Sequence, residues 1–382
     1  MLEGLDITAV STPSYILDLG ALRRNLELLA DVKQRTGCRI LLAQKTFAMF
    51  SVYPMLRWYL DGVSASSVYE ARLGHEEMGG EVHAFAPAYN EADIRALLPH
   101  CTALIFNSFT QWEQFRPLLA ATPTPTSLGL RLNLEYSEVE KEIYNPSTQG
   151  SRLGIRRRDL DRLSFDGVEG LCFHMAVEQN AGTFERMLVA AEEKFGAYFN
   201  RVQWISFGGG HHLTGVDYDV ECFCRVFSAF RQRHSGLKLY LEPTEAVALD
   251  AGVLVTTVLD IVQADIPVVI LDTSAAAHMP DVLAMPYRPA VVGAAHPRRK
   301  SWTCRLAGLS SLTSDVIGEY SFDAPLRIGE RLIFPDMMHN TVVKNNNFSG
   351  LRPPTIATWD PTLKALRVVR SFDYEDFKAR LS

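Results

Sequence analysis

Cysteine is scarce in this sequence, and what there is shows no pairing pattern. Cys38, Cys101, Cys172, Cys222, Cys224 and Cys304 are the six, and no two are spaced as C-x-x-C. A disulfide scaffold and a zinc ribbon are therefore not expected, and no metal site is predicted. Cys222 and Cys224 lie two apart in a helical pattern, so they face different sides. No apolar run reaches the roughly 20 residues that cross a bilayer, and no membrane association is expected. The opening Met1-Leu2-Glu3-Gly4 lacks the basic stretch and apolar core of an export signal, which points to a cytoplasmic protein. An excess of positive charge is missing too. Lys and Arg total 38 against 44 Asp and Glu, a net charge of −6 that weighs against a nucleic-acid partner. Arg156-Arg157-Arg158 and Arg298-Arg299-Lys300 read as solvated turns or helix ends.

What is there suffices for a large core: 47% of the 382 residues are hydrophobic and 21% charged. Up to about residue 245, short apolar runs rich in β-branched and aromatic residues alternate with amphipathic helical stretches. The strand candidates are Ile40–Ala43, Gly62–Ala65, Val82–Ala86, Ala103–Asn107, Ser127–Asn133, Val168–His174, Val202–Phe207 and Leu237–Glu242. Helical patterns include Ser67–Met78, Glu91–Leu98, Thr110–Leu119, Phe184–Tyr198 and Tyr218–Arg233, and Ser67-Val68-Tyr69-Glu70 reads as a capping box. Such alternation means parallel strands with helical crossovers, and eight units suit a (β/α)8 barrel over 13–245. An open, doubly wound sheet is the competing arrangement. Beyond residue 245 the texture becomes strand-like, with runs at Val253–Val262, Val268–Asp272, Ala290–Gly293, Trp302–Leu306, Val316–Ser321, Arg331–Phe334, Thr341–Lys344, Thr355–Trp359 and Leu366–Phe372. Residues 1–12 and 246–382 are thus expected to form a β-rich sandwich or barrel.

Lys45 directly follows the first of the barrel strands. Reacting groups sit at the carboxyl ends of strands in a parallel barrel. Among Leu41, Leu42, Phe47 and Met49 a lysine is partly desolvated, which lowers its pKa and frees an amine for imine formation. A lysine whose stem packs on apolar surface while its head reaches water fits the same position. Gly208-Gly209-Gly210 end the seventh strand, where three glycines let backbone N–H groups approach an anion such as phosphate; a plain flexible loop is the alternative. Glu242, in Leu241-Glu242-Pro243-Thr244, ends the eighth strand. A carboxylate there suits a pyridinium nitrogen, keeping the ring able to accept electrons; a Glu-Pro turn is the plainer account. His174 and Glu178 follow the sixth strand. They offer a ring to stack on a cofactor and a carboxylate for a substrate ammonium, though a satisfied core histidine explains His174 as well. His211-His212 is too little for a metal site.

Further stretches fall in the same order: Thr12–Asp18, Leu42–Ala48, Asp61–Glu70, Tyr144-Asn145-Pro146, Gly150–Gly154, Ser206–His211, Leu271–Pro289, Asp315–Tyr320 and Met338–Lys344. Together these resemble the pyridoxal 5′-phosphate-dependent decarboxylases of the alanine-racemase-like fold (fold type III), which include ornithine and diaminopimelate decarboxylases, and in particular the carboxynorspermidine/carboxyspermidine decarboxylase family. The resemblance implies a (β/α)8 barrel with a C-terminal β domain, and pyridoxal 5′-phosphate held on Lys45. It implies that His174 stacks on the ring, Glu242 pairs with its nitrogen, and Gly208, Gly209 and Gly210 hold the phosphate with help from Thr244 and Asn340. Ser151, Arg152, Glu178, Asp272, Asp281 and Asp315 would lie near substrate. The family also implies a head-to-tail homodimer in which the β domain of one copy completes the active site of the other.

Departures fall at positions the family uses. Ser311 stands where a cysteine is expected, Asn340 for a tyrosine, Thr244 for a glycine, Val177 for a cysteine, and Ser147-Thr148-Gln149 for Cys-Ala-Pro. A thiol titrates at about 8.5, whereas an aliphatic hydroxyl is a far weaker acid. Ser311 is therefore expected to reprotonate a carbanion poorly, while Asn340 and Thr244 keep hydrogen-bonding capacity toward a phosphate. Three activities follow as expectations: decarboxylation of carboxynorspermidine or carboxyspermidine in polyamine synthesis; decarboxylation of another extended substrate, such as a 3-amino-3-carboxypropyl group on a larger body; or a catalytically silent regulator that binds pyridoxal phosphate.

Overall fold

The computed structural model describes the whole chain except residues 1, 123, 140, 141, 143, 144, 162, 163 and 175–179. Its contacts divide it into two units, Asn25–Val247, and Met1–Arg24 with Ala248–Ser382. The first strand, β1 (Ser14–Asp18), belongs to the second of these. Eight strands then follow within the first unit: β2 (Arg39–Ala43), β3 (Gly62–Ala65), β4 (Glu81–Phe85), β5 (Ala103–Phe106), β6 (Ser127–Arg131), β7 (Gly170–Cys172), β8 (Trp204–Ser206) and β9 (Lys238–Leu241). All pair in parallel, and β2 joins β9 through Arg39↔Tyr240 and Ile40↔Leu241, so the barrel closes. The open-sheet alternative is thereby excluded.

Side chains fill the barrel rather than line a pore. Leu41, Ala103, Ile105, Cys172, Trp204 and Tyr240 form one buried cluster with Phe85 against it. The Trp204 indole sets two strand sequences. A Cβ on Gly170 would lie 1.8 Å from it and one on Gly129 2.6 Å from it, so β6 and β7 each carry glycine where the ring passes. The indole Nε1 donates to Ser127 Oγ at 2.8 Å, satisfying the polar atom that comes inside with the ring.

The helices around the barrel follow their apolar faces. Ala181–Phe199 starts where Asn180 accepts from Thr183 N at 3.2 Å. It buries Phe184, Leu188, Ala191, Phe195 and Phe199, spaced at three and four residues. Val220–Arg233 starts on Asp219 in the same way and buries Phe223, Phe227 and Phe230. The Phe184 and Phe223 rings meet at 4.8 Å. Each such phenylalanine contributes about 1.5–3 kcal/mol of apolar burial. The expected capping box at Ser67 forms in one direction only. Ser67 Oγ accepts from Glu70 N at 3.2 Å, but the Glu70 carboxylate turns back to Ser66 N at 2.6 Å.

The second unit is a sheet of eight strands. To β1 it adds β10 (Gly252–Val262), β11 (Val268–Leu271), β12 (Trp302–Ala307), β13 (Val316–Phe322), β14 (Arg331–Pro335), β15 (Thr355–Asp360) and β16 (Ala365–Arg370). The order is β13-β12-β11-β10-β1-β15-β16, with β14 paired to β10. In the middle, β1 runs antiparallel to β10 (Ser14↔Val255) and parallel to β15 (Ser14↔Thr355). Leu2, Val10, Ile16, Val253, Val255, Ala357 and Trp359 pack into one core there. The expected boundary at residue 13 and the observed one at 24/25 differ because Ser14–Asp18 pairs with strands more than 200 residues later in the chain, a partnership that local pattern does not display.

Two of the expected strands are absent. Ala290–Gly293 forms none; its backbone shares one hydrogen bond with β14, from Val292 N to Ile333 O at 3.0 Å. Thr341–Lys344 is a helical turn, closed by Lys344 N donating to Asn340 O at 3.1 Å. Its β-branched residues favour a strand by propensity, and the turn that follows Asn340 overrides them.

Candidate active site in the barrel

The carboxyl ends of the barrel strands surround a cavity of about 470 Å³ lined by, among others, Lys45, Arg131, Glu142, Ser151, Arg152 and His174. Lys45 stands just past β2, and the residues beside it fix that strand end. Gln44, fully buried, donates to Glu70 O at 2.6 Å and accepts from Tyr53 Oη at 3.0 Å. Thr46 donates to Ala43 O at 2.6 Å and to Thr244 O at 3.1 Å, tying the end of β2 to the turn after β9. By surface area Lys45 is exposed, because it stands in an open cavity, yet protein atoms crowd its amine on the remaining sides. The second description governs its basicity. Desolvation lowers the Lys45 pKa, the Arg131 charge lowers it further, and Glu242, Glu245 and Glu70 oppose.

Glu242 and the glycine run are joined by Ser206. The Ser206 hydroxyl donates to Glu242 Oε1 and accepts from Gly208 N at 3.2 Å, and Glu242 N donates to Gly208 O at 2.7 Å. Gly208 and Gly210 have φ of +65° and +93°, the left-handed region that favours glycine. Gly209 is required for space: a Cβ there would lie 2.4 Å from Glu242 O and 2.9 Å from Thr244 Cγ2. Among the described residues, neither Gly209 N nor Gly210 N donates a hydrogen bond. His174 abuts this turn, with its Nδ1 3.0 Å from where a Gly208 Cβ would stand. Burial, then the charges of Lys45 and Arg131, hold His174 well below the usual imidazole range, so its ring is neutral near pH 7.

The structure thus brings Lys45, His174, Gly208, Gly209, Gly210, Glu242 and Thr244 together at adjacent strand ends, with Ser151 and Arg152 on the cavity wall. Glu178 lies outside the described residues. The remaining expected residues belong to the sheet unit. The Asp272 carboxylate accepts from Thr12 Oγ1 (2.6 Å), Thr256 Oγ1 (2.5 Å) and Thr257 N (2.8 Å). Asp315 accepts from Ser274 Oγ, Ala275 N, Ala276 N, Ser310 N and Ser310 Oγ at 2.6–3.3 Å. Asp281 pairs with Lys344 at 2.7 Å. Ser311 is exposed, and Asn340 has φ +53°.

Arg131 is the residue that sequence reasoning missed. It ends β6, is 8% exposed, and lays its guanidinium 4.5 Å over the Phe85 ring. Burial lowers its pKa as well. A charge inside the apolar run Ser127–Asn133 was the available signal.

Residues 14–338 match the family described as pyridoxal-dependent decarboxylase, C-terminal sheet domain. The chain belongs to the pyridoxal-dependent decarboxylases. It is 40% identical over its full length to carboxyaminopropylagmatine decarboxylase of Synechocystis, covering 98% of that protein. It is 38% identical over 97% of its length to the carboxynorspermidine/carboxyspermidine decarboxylase of Campylobacter jejuni, again covering 98% of the relative. The crystal structure of carboxynorspermidine decarboxylase from that organism, complexed with norspermidine, superposes with a TM-score of 0.89 over 97% of this chain and all of the other. A diaminopimelate decarboxylase from Helicobacter pylori, 15% identical with a TM-score of 0.83, shares the fold. The residues present fit the family's cofactor. An amine of lowered pKa suits its aldehyde, two backbone donors with no partner among the described residues, beside a turn where a Cβ on Gly208 or Gly209 would clash, suit its phosphate, and a tethered carboxylate suits its ring nitrogen.

Proposed function

We propose that this decarboxylase acts on a 3-amino-3-carboxypropyl group carried by a di- or polyamine, with carboxynorspermidine or carboxyspermidine as substrate. The observation that carries the reading is the full-length identity to enzymes whose named substrates share that group, together with Lys45 poised in the barrel cavity. A second reading places the group on agmatine, favoured by the 40% identity to the Synechocystis enzyme. The two readings differ chiefly at the distal end of the substrate, an ammonium in one and a guanidinium in the other.

Bound pyridoxal phosphate supplies an aldehyde that captures amines and a ring that withdraws electrons from the bond to be broken. The chain's own residues do the rest. Lys45, less basic than an exposed lysine, would hold the cofactor's aldehyde through its amine. Gly209 N and Gly210 N would hold the phosphate, with Thr244 and Asn340 as further donors. His174, neutral near pH 7, would lie beside the ring, and Glu242, steadied by Ser206, would pair with the ring nitrogen. Ser151 and Arg152 face substrate from the cavity wall, and Glu178 is the further carboxylate this reading assigns to a substrate ammonium.

A head-to-tail homodimer is part of this reading, with Ser311 and Asn340 reaching the cavity from the sheet unit of a second copy. Ser311 then stands where a proton must be delivered to carbon, and its weak acidity leaves delivery to water positioned by the hydroxyl. Asp281 offers a charge for a substrate amine in exchange for Lys344. We assign Asp272 and Asp315, whose oxygens are already engaged, to holding their loops rather than to touching substrate. A cytoplasmic location agrees with six free cysteines, five of them buried. No helix of the described residues is long and apolar enough to cross a membrane.

The test is CO2 release and product mass from carboxynorspermidine, carboxyspermidine and carboxyaminopropylagmatine with cofactor-loaded protein. Turnover of either of the first two supports the proposal. Activity on carboxyaminopropylagmatine alone establishes the second reading, and loaded protein inert toward all three refutes both.

A further inference from the structure

The charges lining the barrel cavity are unevenly divided. Lys45, Arg131 and Arg152 are cations, and Glu142 is the one carboxylate among the described residues that line it. No ion pair of the described residues engages Glu142. Its segment is anchored locally. Asn145 N donates to Glu142 O at 3.0 Å, and Asn145 Oδ1 accepts from Ser147 N at 2.8 Å. The buried Asn133, just beyond β6, donates from Nδ2 to Pro146 O at 3.4 Å and to Leu153 O at 2.8 Å. Pro146 and Leu153 are thereby tied to the end of β6, and Glu142 lines the same cavity.

A substrate of the class proposed above has one anionic end, at the carbon that loses CO2, and one or more cationic nitrogens beyond it. Lys45, Arg131 and Arg152 attract the anionic groups and repel the distal nitrogen. The Glu142 carboxylate on the same wall attracts it, and charge-assisted hydrogen bonds are the stronger kind. We propose that Glu142 is a specificity-determining residue that receives the distal cation of the substrate. The inference rests on the substrate class proposed above. Glu142 holds the far end of the chain, so its contribution is to binding and not to the bond-breaking step.

The experiment compares wild type with Glu142→Gln on two substrates. One is carboxynorspermidine, or carboxyaminopropylagmatine if only that is turned over. The other is its analogue with a methyl group in place of the distal cation. Glu142→Gln should lower kcat/KM for the cationic substrate by about 10- to 100-fold, chiefly through KM. It should change kcat/KM for the methyl-capped analogue less than about threefold, a difference worth well under one charged hydrogen bond. Glu142→Asp should recover part of the loss. Equal losses on both substrates, with thermal stability unchanged, would overturn the assignment in favour of a general effect on the cavity. No loss on either would overturn it outright. A wild type inert to every amine of this class would defeat the substrate reading first, an outcome told apart because it involves no variant.

Discussion

Ser206 donates its hydroxyl to the Glu242 carboxylate while accepting from Gly208 N. One small side chain therefore holds the carboxylate and the glycine turn in a fixed relation, although they arise from different strands. Ser206→Ala removes a buried hydrogen bond to a charged group, worth about 1.5–3 kcal/mol. The variant should melt lower than wild type and bind pyridoxal phosphate at least about tenfold more weakly, by fluorescence titration. Unchanged cofactor affinity would separate Glu242 from the cofactor.

Lys45 gives a pH-dependent prediction with a defined sign. Its folded-state pKa is depressed, by burial before all else. Between that value and the unfolded one of about 10.4, the unfolded chain binds the extra proton, so stability rises with pH. Below the folded pKa the full cost of a crowded ammonium is present. Lys45→Met should therefore stabilise the cofactor-free chain at pH 7, and the advantage should shrink as pH approaches 10. Melting curves across that range check it. The same variant should retain no covalently attached cofactor after borohydride treatment, as judged by intact mass.

Arg131 tests the neighbour's influence on that amine. Its charge is the second cause of the lowered Lys45 pKa. Arg131→Met should raise the Lys45 pKa, so the pH at which half the protein takes up cofactor should move upward. A downward shift would show that Arg131 acts mainly by binding the cofactor itself.

Acid sensitivity should track buried histidines. Burial depresses His83, His211 and His278 each to about 4. For a base with a lowered folded pKa, stability is complete above the unfolded value, about 6.5, and is lost as pH falls from there toward the folded one. His83 sits in the barrel interior, its ring 4.6 Å from that of Tyr240. Replacing it with Gln should flatten the stability–pH slope between 6.5 and 4 by about one proton, or about 1.4 kcal/mol per pH unit. Urea titrations at several pH values measure the slope.

The barrel was legible because each of its strands is a short apolar run that ends in turn chemistry. Lys45, Gly208–Gly210 and Glu242 could be read from their places after such runs. What the sequence concealed depends on distance or on context. Ser14–Asp18 finds its partners only across the whole barrel. Thr341–Lys344 has strand composition but helical hydrogen bonding. Arg131 belongs to a run whose inward side is set by closure. Asp272 and Asp315 were expected near substrate from the family resemblance, and only the folded chain reveals how many donors surround them.

The central placement of β1 has a consequence for synthesis. The ribosome releases Ser14–Asp18 before the barrel, yet its antiparallel neighbour at Gly252–Val262 emerges only after the barrel, and its parallel neighbour at Thr355–Asp360 later still. Throughout translation of Asn25–Val247 a fully apolar-flanked strand waits with both edges unsatisfied, which is a setting for capture by chaperones or by other nascent chains. Loss of the final residues would strip that strand of one side while leaving every barrel strand intact.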